Sequence, residues 1–221
     1  LTTADIKTLS DCDLLLINGS GMESFAEKAI SQVPGLKLKD TSENIPLLLE
    51  EETHHHEDEE SFNSHTWLYM PNAAAQAEEI CASLKELCPN EAEIFEKNLE
   101  SFEAEISALE KKKPQGELKT IIFHSGFAYI AEDFGLNVLK TVMCDEEISL
   151  SAKDQAALID LIHSENIKYI LSDDIDGFET ATAIAAESGA KVIVLDPITR
   201  EKSGFLEALS GNLNALLEAF E

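Results

Sequence analysis

The sequence predicts an α/β protein of two lobes, in each of which helices flank a parallel sheet, with one long helix joining the lobes. Short apolar runs alternate with segments of helical spacing, and strands separated by helices form parallel sheets covered on both faces. The stretch 91–113 carries apolar side chains at three- and four-residue steps, which predicts a joining helix about 30 Å long. The predicted boundaries are 1–90 for the N-terminal lobe, 91–116 for the connecting helix and 117–221 for the C-terminal lobe.

The elements of both lobes follow from local patterns. The apolar run LLLI at 14–17 is typical of a buried parallel strand, and Ser151 with Asp154 forms a helix-capping pattern. The predicted strands lie at 13–17, 37–41, 119–123, 137–142, 167–171 and 191–195. The predicted helices lie at 5–9, 22–31, 73–87, 91–113, 128–134, 151–165, 178–188 and 204–220.

Composition excludes several classes of function. The chain has 16 Lys and Arg against 43 Asp and Glu, a formal net charge of −27. Such a surface repels phosphate backbones and anionic lipid, which argues against nucleic-acid binding and membrane-surface docking. The four cysteines have no C-x-x-C spacing. On one helix, Cys81 and Cys88 would lie about 10 Å apart, too far for a disulfide, and we expect all four to be ordinary, semi-buried free thiols.

Three candidate metal ligands occupy comparable positions. His124 follows the strand at 119–123, Asp196 follows the strand at 191–195, and His65 follows the acidic segment 50–60. Ligands of open α/β sheets bind beyond the carboxyl ends of the strands, and two imidazoles with a carboxylate suit a divalent cation. Each residue alone has an ordinary alternative: a hydrogen-bonded core histidine, or an aspartate that forms a turn before Pro197.

The acidic segment 50–60 carries seven carboxylates around His54, His55 and His56 and shows no apolar periodicity. Its composition is typical of a solvated surface loop. Adjacent imidazoles among carboxylates also bind divalent ions loosely. Both interpretations stay open: a low-complexity loop, or an accessory loop that collects metal.

Three motifs in order along the chain resemble one family. The segment 63–73, NSHTWLYMPNA, resembles the Asp-Pro-His-x-Trp-Leu-Asp-Pro segment of the zinc-binding solute-binding proteins of ABC transporters, the cluster A-I metal-binding lipoproteins and adhesins. The segment 123–136, FHSGFAYIAEDFGL, is similar to their Phe-His-x-Ala-Phe-x-Tyr-Phe-x-x-x-Tyr-Gly-Leu, and LDPI at 195–198 to their Leu-Asp-Pro-Leu. The His-rich acidic loop precedes His65 as it does in zinc members.

The resemblance implies a receptor, not an enzyme. One Zn(II) would lie in a cleft between two lobes on His65, His124, Asp196 and a further histidine, and would be delivered to an ABC transporter permease. Mn(II) is disfavoured, because manganese members carry a carboxylate at the position of His124 and imidazole favours zinc. The location implied is extracytoplasmic, periplasmic or as a cell-surface lipoprotein, with a signal segment outside this chain. We expect a monomer without a nucleic-acid partner.

Two departures from the family pattern bear on the site. The opening residues 1–6 resemble the stretch that follows the family's first ligand histidine. We therefore expect that histidine, and the first strand–helix portion of the N-terminal lobe, to be missing from this chain. Ser64 and Tyr69 replace the family's usual Pro and Asp around the second ligand but leave His65 in place.

Four residues are candidates for the surroundings of the metal. Asp173 and Asp174 end the strand at 167–171 and would support a ligand or supply an oxygen, or else cap the next helix. Trp67 and Phe127 lie close in sequence to the two histidines and would shield the site from water, although aromatic packing alone would also explain them.

Two other classes of function remain as alternatives. One is a metal-independent adhesin or interaction protein of the same fold, which the missing first histidine favours. The other is a zinc-dependent hydrolase with Asp174 or Glu132 as general base. The chain has no HExxH element, which counts against the hydrolase.

Overall fold

The computed structural model describes residues 2–50, 61–114, 116–142, 150–175, 177–199 and 203–220. They divide into two compact units. Unit 1 comprises the described residues up to Leu49 and from 61 to Ile106, and unit 2 comprises those from Ser107 onward. The segment 50–60 with His54, His55 and His56 lies outside the described residues, apart from Glu50.

Unit 1 is built on a parallel pair of strands. Its elements are α1 (Thr3–Ser10), β1 (Leu14–Ile17), α2 (Glu27–Ile30), β2 (Lys37–Asp40), α3 (Met70–Leu87) and α4 (Ala92–Glu110), and α4 continues across the boundary into unit 2. The register pairs Leu14 with Lys37 and Ile17 with Asp40. Thr2 and Asp5 form a capping box at the start of α1, which satisfies backbone N–H groups that a helix leaves unpaired at its first turn.

The prediction of one helix over 22–31 is wrong in its first half. Only Glu27–Ile30 is helical. Gly19, Ser20 and Gly21 have φ values of +84°, +52° and +79°, and three consecutive left-handed residues direct the chain into turns, not a helix. The Glu23 carboxylate accepts hydrogen bonds from the backbone N–H groups of Asn18 and Gly19, at 2.8 and 3.1 Å, and so ties the turn to the end of β1.

The helix α3 begins at Met70, three residues before its predicted start. Pro71 lies in its first turn, where the N–H that proline lacks would have no intrahelical partner. Among the described residues, no helix is long and apolar enough to cross a membrane. Cys12, Cys81 and Cys88 are free thiols, as predicted, but the expectation that they are semi-buried is wrong: Cys12 and Cys88 are exposed and Cys81 is buried. Cys144 lies outside the described residues.

Unit 2 confirms the predicted α/β class with a four-stranded, wholly parallel sheet in the order β4-β3-β5-β6. Its elements are β3 (Lys119–Ile122), α5 (Phe127–Phe134), β4 (Asn137–Thr141), α6 (Ala152–Glu165), β5 (Tyr169–Ser172), α7 (Phe178–Ser188), β6 (Lys191–Val194) and α8 (Phe205–Phe220). The predicted cap of α6 is present: the Ser151 hydroxyl accepts from the Asp154 backbone N–H at 3.2 Å.

The core of unit 2 fixes the ends of its strands. Ile121, Phe123 and Ile170 from the sheet join Ile162 of α6 and Ile184 of α7 in one buried cluster. Each of these five side chains is at most 2% exposed, and burying one apolar side chain of this size contributes about 1.5–3 kcal/mol. The polar residues that follow β3, β5 and β6 are therefore carried on a rigid support.

A cavity of about 310 Å³ lies in unit 1 against β1. Its wall includes the consecutive strand residues Leu15, Leu16 and Ile17, together with Leu9 of α1 and the exposed Phe25. Side chains of a strand alternate between its two faces, so a cavity that touches three consecutive residues runs along the edge of the strand. In the part of the chain that the structure describes, that edge of β1 has no strand beside it.

An ion pair ties the chain beyond α4 to α5. The Lys113 ammonium lies 2.6 Å from Asp133 Oδ1, 3.6 Å from Glu110 Oε1 and 5.9 Å from the centroid of the Phe134 ring. The Asp133 side chain is 1% exposed. A carboxylate so deeply buried needs a charged or hydrogen-bonding neighbour to offset its desolvation, and Lys113 supplies a positive one.

Candidate functional site

His65 lies in unit 1 just before a single 3₁₀ turn, Thr66–Leu68. Asn63 holds it: the Asn63 amide oxygen is 3.1 Å from both the His65 backbone nitrogen and its ring Nδ1. Because an amide oxygen only accepts hydrogen bonds, the proton of the neutral ring is on Nδ1 and the lone pair is on Nε2. The Trp67 ring lies against the imidazole, with centroids 5.2 Å apart. Nε2 is thus prepared as a ligand atom.

His124 lies in unit 2, two residues beyond β3, and its ring is held in the other tautomer from that of His65. Nδ1 accepts a hydrogen bond from the Gly126 backbone N–H at 3.0 Å. The neutral ring therefore carries its proton on Nε2. The Phe127 ring packs beside it at 5.1 Å between centroids. A cation on Nε2 requires that the proton move to Nδ1 and that the bond from Gly126 be released.

Asp173 follows β5 and faces His124. Its side chain is 1% exposed, and Oδ2 lies 3.8 Å from His124 Nε2. The other oxygen, Oδ1, accepts from the Ile175 backbone N–H at 2.7 Å. The structure therefore places a buried carboxylate beside the imidazole, where its negative charge favours a cation. Asp174, the next residue, is exposed.

Asp196 follows β6, and the hydrogen bonds of its backbone hold it in place. Asn212 of α8, which is 4% exposed, accepts from the Asp196 backbone N–H at 2.7 Å and donates to its carbonyl at 2.8 Å. Asp196 Oδ1 accepts from the Ile198 N–H at 2.7 Å. Ile198 has a φ of +57°, a conformation that costs a β-branched residue about 1–3 kcal/mol. The surrounding contacts hold this loop in one strained arrangement.

The carboxyl ends of β3, β5 and β6 lie at one edge of the sheet because the strands are parallel neighbours. His124, Asp173 and Asp196 therefore share that edge, where open α/β sheets bind ligands. His65 belongs to unit 1. Within either unit, no three His, Cys, Asp or Glu side chains of the described residues form a group that could hold a metal ion.

Sequence reasoning missed three residues that orient the candidate ligands: Asn63, Gly126 and Asn212. For the first two a local signal exists, since each lies two positions from a histidine, a spacing at which side chains commonly bond to nearby backbone. Asn212 is 16 residues from Asp196, and only the packing of α8 brings the two together.

The Gly126 bond gives a prediction for the metal-bound state. If a cation binds His124 at Nε2, Nδ1 becomes a donor and the Gly126 N–H loses its acceptor. We expect the Gly126 amide proton to move upfield on saturation with Zn²⁺, because loss of a hydrogen bond shields an amide proton. A ¹⁵N–¹H correlation spectrum measures the shift. The Gly135 amide, which caps α5 through Glu132, serves as the internal control, and an unmoved Gly126 signal in the zinc-saturated protein would contradict the prediction.

The polar residues beyond neighbouring parallel strands in unit 2 lie where proteins of the α/β class bind their ligands. Residues 1–219 match the family model of ZnuA, described as the zinc-uptake complex component A, periplasmic, and the chain belongs to this family. The resemblance inferred from the sequence motifs is confirmed.

Two curated relatives and one solved structure are distant in sequence but match almost the whole chain. The zinc-binding lipoprotein AdcA of Streptococcus pneumoniae serotype 4 is 26% identical over 232 residues, which cover 96% of this chain and 46% of AdcA. The high-affinity zinc uptake system protein ZnuA of Bacillus subtilis is 27% identical, over 99% of this chain and 75% of that protein. A crystal structure of ZnuA superposes with a TM-score of 0.78 at 27% identity, covering 99% of this chain and 83% of the other. The chain spans about half the length of AdcA.

Proposed function

We propose that this chain is an extracytoplasmic receptor that captures Zn²⁺ and delivers it to the permease of an ABC importer. Support comes from the family, described as a periplasmic component of zinc uptake, and from two relatives whose names state zinc binding and zinc uptake. The proposed activity is binding and release without catalysis, by a monomer with no nucleic-acid partner. The net charge of −27 suits a cationic cargo.

The proposed ligands are His65, His124 and Asp196, since imidazole nitrogen and carboxylate oxygen are the donors that zinc takes in proteins. The observation that carries this proposal is the bond between His65 Nδ1 and Asn63 Oδ1. Histidines that ligate metals almost always donate their second ring N–H to a carboxylate, carbonyl or water, which fixes the ring and leaves the other nitrogen for the metal. Asp173 would support His124 by its charge.

Calorimetric titration with Zn²⁺, with Mn²⁺ as competitor, tests the function. We expect one tightly bound Zn²⁺ per chain that Mn²⁺ does not displace at equal concentration. His65→Ala should abolish the tight phase. The triple variant His54→Ser, His55→Ser and His56→Ser should keep it, because those residues would only collect metal loosely.

His163→Ala is the matched control, since His163 is an exposed histidine in the last turn of α6 whose Nε2 lies 3.2 Å from the carbonyl of Ser188, the last residue of α7. Its zinc affinity should equal that of the unaltered chain. Weak binding that disappears only in the triple variant would contradict the proposal. It would favour the alternative of a metal-independent adhesin or interaction protein of the same fold.

A further inference from the structure

A buried amide in unit 1 joins three separate segments. Gln76 of α3 is 8% exposed. Its Nε2 lies 3.1 Å from Asn18 Oδ1, Thr41 Oγ1 and Ser42 Oγ, and 3.2 Å from Thr66 Oγ1. Asn18 ends β1, Thr41 and Ser42 follow β2, and Thr66 is the residue after His65. One side chain thus connects both strand ends to the turn that carries the candidate ligand.

Two of the three surrounding hydroxyl groups, those of Thr41 and Thr66, are oriented to accept from that amide. Thr41 donates its own hydroxyl proton to the Ile17 carbonyl at 2.9 Å, and Thr66 donates to Asn18 Oδ1 at 2.9 Å. Their lone pairs are left for the two protons of Gln76 Nε2. Each N–H is shared between oxygens, so the cluster is bonded in one consistent direction and its members stabilise one another.

Asn18 forms hydrogen bonds to the residues on both sides of His65. Its Nδ2 donates to the Ser64 carbonyl at 2.8 Å, and its Oδ1 accepts from the Thr66 hydroxyl. Gln76 bonds to the same Oδ1 and to Thr66. The residues before and after His65 are therefore fixed to one asparagine, which is itself fixed by one glutamine.

We propose that Asn18 and Gln76 are positioning residues that hold the His65 ring in its ligand orientation before the cation arrives. This inference rests on the proposed function, because it takes His65 as a ligand. They act on the ring through their bonds to Ser64 and Thr66, and Asn63 then sets the tautomer. A preorganised ring spares the cation the cost of ordering the turn on binding.

The hydrogen-bond network around Gln76 requires the burial of polar groups, a free-energy cost that apolar packing would avoid. Thr66 is 0% exposed and Ser42 is 3% exposed, and burying such hydroxyl groups is unfavourable unless every one is bonded. Apolar side chains would join α3 to the strands without this requirement. A directional cluster, in contrast, fixes the orientation of the turn as well as its distance from the sheet.

The test measures the ring and the affinity separately. In the zinc-free protein at pH 8, the ¹⁵N shifts of the His65 imidazole should show the Nδ1–H tautomer. Gln76→Met, which keeps side-chain length and removes the donor, should shift the signals toward the Nε2–H tautomer that imidazoles prefer in water. It should also raise the Kd for Zn²⁺ about 10- to 100-fold, the usual cost of losing a residue that orients a metal ligand.

Gln155→Met is the matched control, because Gln155 is a half-buried helical glutamine that donates to the Leu150 carbonyl in unit 2. It should leave the His65 tautomer and the Kd unchanged. Should Gln76→Met fail to fold, Thr66→Val provides a second test: it removes the hydroxyl that bonds to Gln76 Nε2 and Asn18 Oδ1 with almost no change of shape, and we expect the same tautomer shift and a similar loss of affinity.

Two outcomes separate the inference from the function on which it rests. Wild-type tautomer and zinc affinity in Gln76→Met and Thr66→Val would overturn the positioning role, even if His65→Ala abolishes tight binding. If the tautomer shifts in these variants while His65→Ala leaves the zinc affinity intact, the positioning of the ring stands and the assignment of His65 as a zinc ligand fails.

Discussion

Replacement of His124 by alanine should weaken zinc binding by more than about 100-fold. Removing a residue that merely orients a metal ligand costs about 10- to 100-fold in affinity, so loss of the ligand itself should cost more. The substitution also leaves the buried Asp173 carboxylate without the imidazole that faces it at 3.8 Å. Competition with a chromogenic chelator measures the zinc affinity of the unaltered chain and of His124→Ala.

His163→Ala again provides the control, since it removes an exposed histidine from the same unit. Asp173→Asn adds a graded comparison: it keeps the shape and takes away the charge beside His124, and we expect a loss smaller than that of His124→Ala. Equal zinc affinity in His124→Ala and His163→Ala would rule out His124 as a ligand.

Lys113→Met should lower the free energy of unfolding of unit 2 by about 3 kcal/mol, because removal of one partner of a buried ion pair takes away the charge that offsets the desolvation of the other. The pair joins Lys113 to Asp133 at 2.6 Å, with the Asp133 side chain only 1% exposed. Methionine retains most of the aliphatic stem that packs near Phe134, so the loss reports mainly the ammonium group. Urea denaturation followed by circular dichroism measures the change.

Lys112→Met is the matched variant, since Lys112 is the preceding residue and is exposed. Exposed charges contribute little to stability, and the expected change is within about 0.5 kcal/mol. If the two variants unfold at the same urea concentration, the Lys113–Asp133 pair does not stabilise unit 2.

Much of the fold could be predicted because local patterns and tertiary structure agree. The run LLLI predicts β1, and alternating strands and helices predict the parallel sheet of unit 2. The helix expected over 22–31 failed at its start. Its apolar spacing is helical, but the left-handed backbone at Gly19 and Gly21 and the bonds from Glu23 to the end of β1 decide that region.

The candidate site could be predicted only in part. The places of His124 and Asp196 beyond the ends of strands could be predicted from sequence, and the structure has them there; their role as metal ligands stays a prediction. Their orienting partners could not be predicted, since a bond depends on distances that packing creates. Gln76 lies 58 residues from Asn18. In the sequence pattern of α3, Gln76 is indistinguishable from any other polar residue of an amphipathic helix. Long-range polar contacts of this kind carry no periodic signal.

In the part of the chain that the structure describes, no strand pairs with the outer edge of β1, and this has a consequence for handling the protein. Four consecutive apolar residues offer no charge on that edge, whereas β2 carries Lys37 and Lys39, and lysines on edge strands are a common protection against edge-to-edge aggregation. Because β1 has no such lysines, precipitation is opposed instead by mutual repulsion between chains that each carry a net charge of −27. Salt screens this repulsion over distances beyond about 8 Å at physiological strength, so colloidal stability should be greatest in dilute buffer and decline as salt is added.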